Sequence, residues 1–293
     1  MGIRLISSAV ASAIAIGVLL LHHTIVFPIA IAAVCVILLF ELFRAGGCLK
    51  FRLPAGVAFL YGMGLPFLVY FDQTPFRPLV AVSVCILLLF SYILLHERMS
   101  LFHALLMVFG TLLIPYSMCC CITLNEKDGI HGIIYVVMAL CGAWLADSGA
   151  YFVGTFCGKH KLCPQISPKK TIEGFIGGVV TNGILFIAFA AVYSRIMAAR
   201  GDIFTVHYVT VCLLGMACAL IGTVGDLTAS LIKRHFQIKD YGNIMPGHGG
   251  LLDRFDSVLL VVPFFCAVLQ LTPLYSFCLL YTSPSPRDST SSR

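Results

Sequence analysis

Apolar residues run along this chain in blocks of about twenty, each cut off by a short polar stretch. A helix needs about 20 apolar residues to cross the hydrocarbon core of a bilayer, so such blocks predict membrane spans. Nine are predicted, near residues 5–21, 25–43, 54–71, 78–95, 101–122, 131–154, 172–194, 207–232 and 251–281. The first follows Arg4 and resembles a signal peptide in outline. It lacks a small-residue cleavage site, and His22, His23 and Thr24 lead straight into the next run, so it is read as a helix. The predicted fold class is therefore all-α: a polytopic transmembrane protein with about nine spans. Residues 1–130 form about five N-terminal spans, and residues 131–281 form a catalytic region with two long loops, 155–171 and 233–250. Residues 282–293 change abruptly to a Ser/Thr/Pro-rich tail with no apolar period, read as non-native or disordered and excluded from the fold.

Lysines and arginines orient these spans. One side collects Arg4, Arg44, Lys50, Arg52, Arg98, Lys159, Lys161, Lys169, Lys170, Lys233, Arg234 and Lys239. The other holds only Arg77, Lys127, Arg195 and Arg200. The positive-inside rule then puts the N-terminus and both long loops in the cytoplasm, where nucleotides are found.

Composition agrees. The chain is 59% hydrophobic and 11% charged, with mean hydropathy +0.98, whereas soluble domains carry about 25% charged residues. A soluble fold of 293 residues has no single core large enough for that much apolar surface, so the excess faces lipid. The net charge of +6 is explained by topology and forms no basic stripe, which excludes a nucleic-acid partner. Thirteen cysteines include no C-x-x-C pair, and most lie inside apolar runs; they are read as small packing residues. Compact size and the lack of a targeting extension point to a bacterial inner membrane, with an organelle membrane as the alternative.

Chemistry concentrates in the C-terminal half. Asp147, Asp226, Asp253 and Asp256 fall in or at the ends of apolar runs, where a carboxylate costs about 2.5–3.5 kcal/mol at mid-membrane. In a helix, Asp226, Ser230 and Lys233 share one face, and Asp253 and Asp256 are i, i+3 neighbours. Three such carboxylates suit a hard divalent cation, and magnesium in particular takes one or two carboxylates together with substrate phosphates. A structural ion pair, such as Lys233 or Arg254 with Asp253 or Asp256, is the alternative. Between them lies a Gly-rich stretch, Lys239 to Gly250, suited to an anion and leading into the next helix. His248 in this stretch is a proton carrier or a loop-ordering hydrogen-bond partner. The other loop carries Ser167, Pro168, Lys169, Lys170 and Thr171, with two adjacent ammonium groups. Thr171 is placed to cap a helix beginning at Ile172, with Glu173 in its first turn.

From Ser230 to Asp256 the run of Ser230, Lys233, Arg234, Lys239, Asp240, Gly242, Pro246, His248, Gly249, Gly250, Asp253, Arg254, Phe255 and Asp256 resembles the signature of phosphatidate cytidylyltransferases (CDP-diacylglycerol synthases). Met245 departs mildly from the usual Leu, Ile or Phe. Upstream, Asp147, Ser148, Gly154, Gly158, Lys159 and the stretch Ser167–Gly174 are similar to the same family, so the likeness is strong over 140–260 and only hydropathic over 1–130. The resemblance implies a membrane homodimer that transfers CMP from CTP to phosphatidic acid with Mg²⁺, releasing pyrophosphate. It implies a metal centre at Asp226, Asp253 and Asp256, which in this family can include a second, monovalent cation such as K⁺. Lys233, Lys239 and His248 join these aspartates as catalytic candidates. Ser167, Lys169, Lys170, Thr171, Ser230, Arg234, Asp147, Gly249, Gly250 and Arg254 are the substrate-binding candidates. A cation-coupled transporter is the rival class, but the acids show no inverted repeat. Another phospholipid phosphotransferase is the second rival, but the chain lacks the D-G-x-x-A-R core of the CDP-alcohol enzymes.

Overall fold

The computed structural model describes residues 2–201, 204–245, 247 and 249–277, with the side chains of 2–6 and 130 excepted. The apolar runs are helices: α1 (Gly2–Leu20), α2 (Val26–Ala45), α3 (Arg52–Tyr70), α4 (Phe76–Leu94), α5 (Leu101–Glu126), α6 (Gly132–Cys157), α7 (Ile172–Ala198) and α8 (Tyr208–His235). The last run contains α9 (Leu252–Phe255) and α10 (Val258–Leu271). Seven of these, α2 to α8, are long and apolar enough to cross a membrane. This is a helical membrane protein.

Two features depart from the all-α expectation. A hairpin of β1 (Lys161–Cys163) and β2 (Ser167–Thr171) fills the loop between α6 and α7, and β3 (Phe204–Val206) pairs antiparallel with β4 (Tyr275–Phe277). Pro168 is tolerated because a two-stranded pair leaves each strand one free edge. The last predicted run, 251–281, is also shorter than expected. Pro273 disfavours helical angles in the residue before it, and Thr272 turns extended at φ −141°, so α10 stops at Leu271. The tail 282–293 lies outside the described residues.

Contacts define two ends of the bundle. At one, the carboxylate of Glu41 near the end of α2 meets residues 251 and 252, and Phe102 at the start of α5 packs on His235 at the end of α8. At the other, Asn125 near the end of α5 bonds His22 after α1, at 2.7 Å between side chains, and His131 before α6 bonds Tyr193 of α7 at 2.6 Å. The helices therefore alternate in direction, and both long loops fall at the first end.

Close packing sets the C-terminal half. A Cβ on Gly178 of α7 would lie 2.8 Å from the carbonyl oxygen of Ala146 in α6, so small residues bring these helices nearly backbone to backbone. Asn182 is fully buried and donates to Gly142 O of α6 at 3.1 Å and Gly215 O of α8 at 2.7 Å. One amide thus ties three helices where lipid offers no competing partner. In α10, Pro263 has no N–H to give the carbonyl of Leu259 one turn earlier. Ser117 Oγ of α5 donates to that carbonyl instead, at 2.6 Å. The cysteines at described positions are free thiols, and Cys35, Cys119, Cys120, Cys121, Cys218 and Cys266 are buried among these helices.

Candidate active site

The α6–α7–α8 packing brings the acids and lysines of distant motifs together. Lys170, near the end of β2 just before α7, puts its Nζ 2.5 Å from Asp226 Oδ2 of α8 and 3.8 Å from Asp147 Oδ1 of α6. Asp256 joins them through a backbone approach. At Gly225, next to Asp226, a Cβ would lie 2.7 Å from the Asp256 carbonyl oxygen and 3.1 Å from Ser257 Cα, so only glycine lets α8 come this near. The Asp256 carboxyl is buried, accepts from Ser257 N at 2.7 Å, and feels the charges of Asp226, Lys233 and Asp147. Lys170 is thus held between two carboxylates, with a third, Asp256, near enough to feel both of them.

One helical turn beyond Ser230, Lys233 turns the other way. Its Nζ donates to Asp253 Oδ1 at 2.8 Å, with side chains 14% and 7% exposed. Asp253 Oδ2 accepts from Tyr241 N at 2.9 Å and Gly250 N at 3.0 Å. The carboxylate therefore pins both ends of the Gly-rich loop to α8, and within the loop Met245 pairs antiparallel with Gly249. Tyr241 covers the pair: its ring lies 5.5 Å from Lys233 Nζ and its hydroxyl donates to Ala229 O at 2.9 Å. Burial, with Asp253 and Asp256 nearby, pushes the Tyr241 phenol above its ordinary value, so it stays a neutral donor.

The hairpin loop is ordered locally. Thr171 is the N-cap of α7 and accepts from Gly174 N at 3.1 Å, as its position predicted. Glu173 accepts from the backbone N–H groups of Lys159 and His160 at 3.1 and 3.2 Å, drawing the end of α6 onto α7. Lys169, Arg234 and Lys239 are exposed at the same end of the bundle; Ser167 and Ser230 are half-buried. Arg254 is exposed, and its carbonyl accepts from the Trp144 indole at 3.0 Å. His248 lies outside the described residues.

Sequence comparison bears on a site of this charge. Phosphatidate cytidylyltransferase of Bacillus subtilis (strain 168) is 36% identical to this chain over 272 residues, covering 91% of the chain and 97% of that protein. The proteins of the same name from Staphylococcus haemolyticus and Staphylococcus aureus (strain COL) are 45% identical over 139 residues, 47% of this chain and 49% of each of theirs. The cytidylyltransferase family as a whole matches residues 2–272. The chain belongs to the cytidylyltransferase family. Membership makes it a nucleotidyltransferase and sets the transporter alternative aside.

A cytidylyltransferase must hold mutually repelling phosphates, and the donors here can be tested against the magnesium that the resemblance implies. Asp226, Asp253 and Asp256 offer hard oxygens from two closely packed segments; Lys170, Lys233 and Ser257 N each hold one of these oxygens, and a metal would have to share or displace them. That set suits magnesium, which completes its shell with water and phosphate oxygens. Asp253 Oδ1 accepts from Lys233 and its Oδ2 from the loop backbone, so this carboxylate also orders the loop. Among the described residues no three His, Cys, Asp or Glu side chains are grouped to hold a metal by themselves. Asp226 and Asp256 thus lie near each other across the Gly225 approach, while Asp253 ties the Gly-rich loop to α8 one turn along.

Beside Asp256 opens a cavity of about 280 Å³ lined by Leu42, Phe109, Leu113, Ile232, Leu260 and other apolar groups. Sequence reasoning missed Glu41. It is 1% exposed, and its two oxygens accept from Leu251 N at 3.0 Å and Leu252 N at 2.6 Å. An acid inside an apolar run carries the same cost signal that singled out the four aspartates.

Proposed function

We propose that this cytidylyltransferase uses CTP and phosphatidic acid, forming CDP-diacylglycerol and pyrophosphate in a magnesium-dependent reaction. The observation that carries the reading is Lys170, held between Asp147 and Asp226, with Asp256 near these acids and lining an apolar cavity. Anionic phosphates and hydrocarbon chains are the two halves of such a lipid, and this end of the bundle offers matching surfaces to both. The name of the B. subtilis relative supplies the substrate pair.

A phosphate oxygen of the lipid attacks the α-phosphorus of CTP. The new P–O bond forms as the bond to the bridging oxygen breaks, and that electron pair leaves with pyrophosphate. Much phosphatidate is dianionic near neutral pH, so no protein base is required. Lys170 lies where it can oppose charge on the reacting phosphates, and exposed Lys169, Arg234 and Lys239 can take the triphosphate from water. Asp253 holds Lys233 and the loop in register for this. Magnesium bound at Asp226, Asp253 and Asp256 would supply charge neutralisation. We also assign α1 and the α9–α10 segment as spans, giving nine, with the N-terminus and site on the cytoplasmic face of a bacterial inner membrane and the protein as a homodimer. The lysine and arginine distribution supports that orientation.

Purified protein in detergent tests the reading. Labelled CTP is expected to enter lipid only with phosphatidate and Mg²⁺ both present, and a chelator is expected to stop it reversibly. Incorporation that is indifferent to phosphatidate, or equal with UTP, defeats the substrate assignment; turnover in chelator defeats the metal.

A further inference from the structure

Glu41 sits one turn before the end of α2, far in sequence from every charged group of the site. Its oxygens accept the N–H groups of Leu251 and Leu252, the donors that open the segment carrying Asp253 and Asp256. Such first-turn donors have no partner within their own helix, and here an acid from another helix satisfies them. The same carboxylate is pressed against both stems of the Gly-rich loop. A Cβ at Gly250 would lie 2.7 Å from Glu41 Oε2, and one at Gly242 would collide with Oε1. Asp253 grips the loop from the α8 side through Tyr241 N and Gly250 N. Two carboxylates therefore clasp the stems of the loop, residues 241–242 and 250–252, from opposite directions.

We propose that Glu41 is a positioning residue for nucleotidyl transfer, fixing the loop stems to α2 so that Asp256 meets α8 at the right depth. The proposal rests on the transfer reaction above, and it gives α2 a polar task beside the apolar lining that Leu42 adds to the cavity. Glu41 itself touches no substrate. Its loss is expected to leave ground-state binding of CTP largely intact while misplacing the groups that act on the reacting phosphates. Displacements near 1 Å cost reaction rates about a hundredfold.

The test uses the full chain in detergent, as wild type, Glu41→Gln and Gly242→Ala, with kinetics, thermal midpoint and hydrogen exchange of the 249–253 backbone. Glu41→Gln keeps the size but turns an amide N–H toward one of the two backbone donors. Gly242→Ala crowds the carboxylate from the loop side and leaves α2 unaltered, so it decides the matter should Glu41→Gln fail to fold. Both are expected to lower kcat by about tenfold to a hundredfold, to leave KM for CTP within a few-fold, and to speed exchange at Leu251 and Leu252. Wild-type exchange there, or normal kcat despite faster exchange, overturns the proposal, as does a raised KM with kcat intact. Wild-type protein lacking transfer from CTP to phosphatidate would instead defeat the substrate reading, while exchange still judges the clasp.

Discussion

Replacing Gly225 with alanine adds one methyl group where α8 meets the backbone of residues 256 and 257. The new Cβ would stand 2.7 Å from the Asp256 carbonyl oxygen and 3.1 Å from Ser257 Cα, against an ordinary contact of 3.4 Å or more. Both neighbours are backbone, so no side chain can swing aside, and α8 must part from the 256–257 segment by about 0.5–0.7 Å to regain normal packing. If about 1 Å of misplacement costs a hundredfold, a shift of this size costs kcat about tenfold to thirtyfold, or roughly 1.4–2 kcal/mol in the barrier. Overpacking is also expected to lower stability by about 1–3 kcal/mol. Steady-state transfer from labelled CTP, measured beside the thermal midpoint in detergent, separates the two effects. Gly222→Ala is the control: its Cβ meets only Val261 Cγ2 at 3.3 Å and Ser257 Cβ at 3.6 Å, so small side-chain movements accommodate it. A folded Gly225→Ala protein turning over within twofold of wild type would refute the idea that this approach sets Asp226 against Asp256.

Lys170→Met leaves Asp147 and Asp226 without their shared counter-charge; kcat is expected to fall about a hundredfold or more, as when a charge-stabilising donor is removed. Unchanged turnover in that variant would remove Lys170 from the chemistry. Thr171→Val deletes the cap on α7 and is expected to cost about 1 kcal/mol, read as a lower thermal midpoint that Thr171→Ser restores. Ser117→Ala strips Leu259 O of its donor and is expected to cost about 0.6–2 kcal/mol, with kcat of the folded fraction preserved.

Much of this arrangement is legible in the chain because the bilayer imposes a coarse rule. The run read at 207–232 is Tyr208–His235, and Asp226, Ser230 and Lys233 do lie on one helix. Thr171 caps α7 because a hydroxyl before a helix start has few better uses. What stays hidden depends on crossings between helices. Nothing in the local spacing says that Lys170 reaches α8, since that follows from Gly178 letting α7 approach α6 so closely. Asp253 and Asp256 are i, i+3 neighbours either way, and their spacing leaves open both a metal and an ion pair. In the structure Asp253 accepts from Lys233, Tyr241 N and Gly250 N, and Asp256 lies near Asp226 across the Gly225 approach. Glu41 was passed over because an acid near a helix end usually meets water, and only the return of residue 251 to that spot buries it.

The bond from Ser117 to Leu259 bears on how the protein is assembled. A proline-bearing final segment that entered lipid alone would expose a bare carbonyl to hydrocarbon, an expense of several kcal/mol that it has no internal way to relieve. As one of the spans proposed above, it would therefore wait on α5, made some 140 residues earlier, and become secure only after the early half has been inserted and is standing ready to receive it.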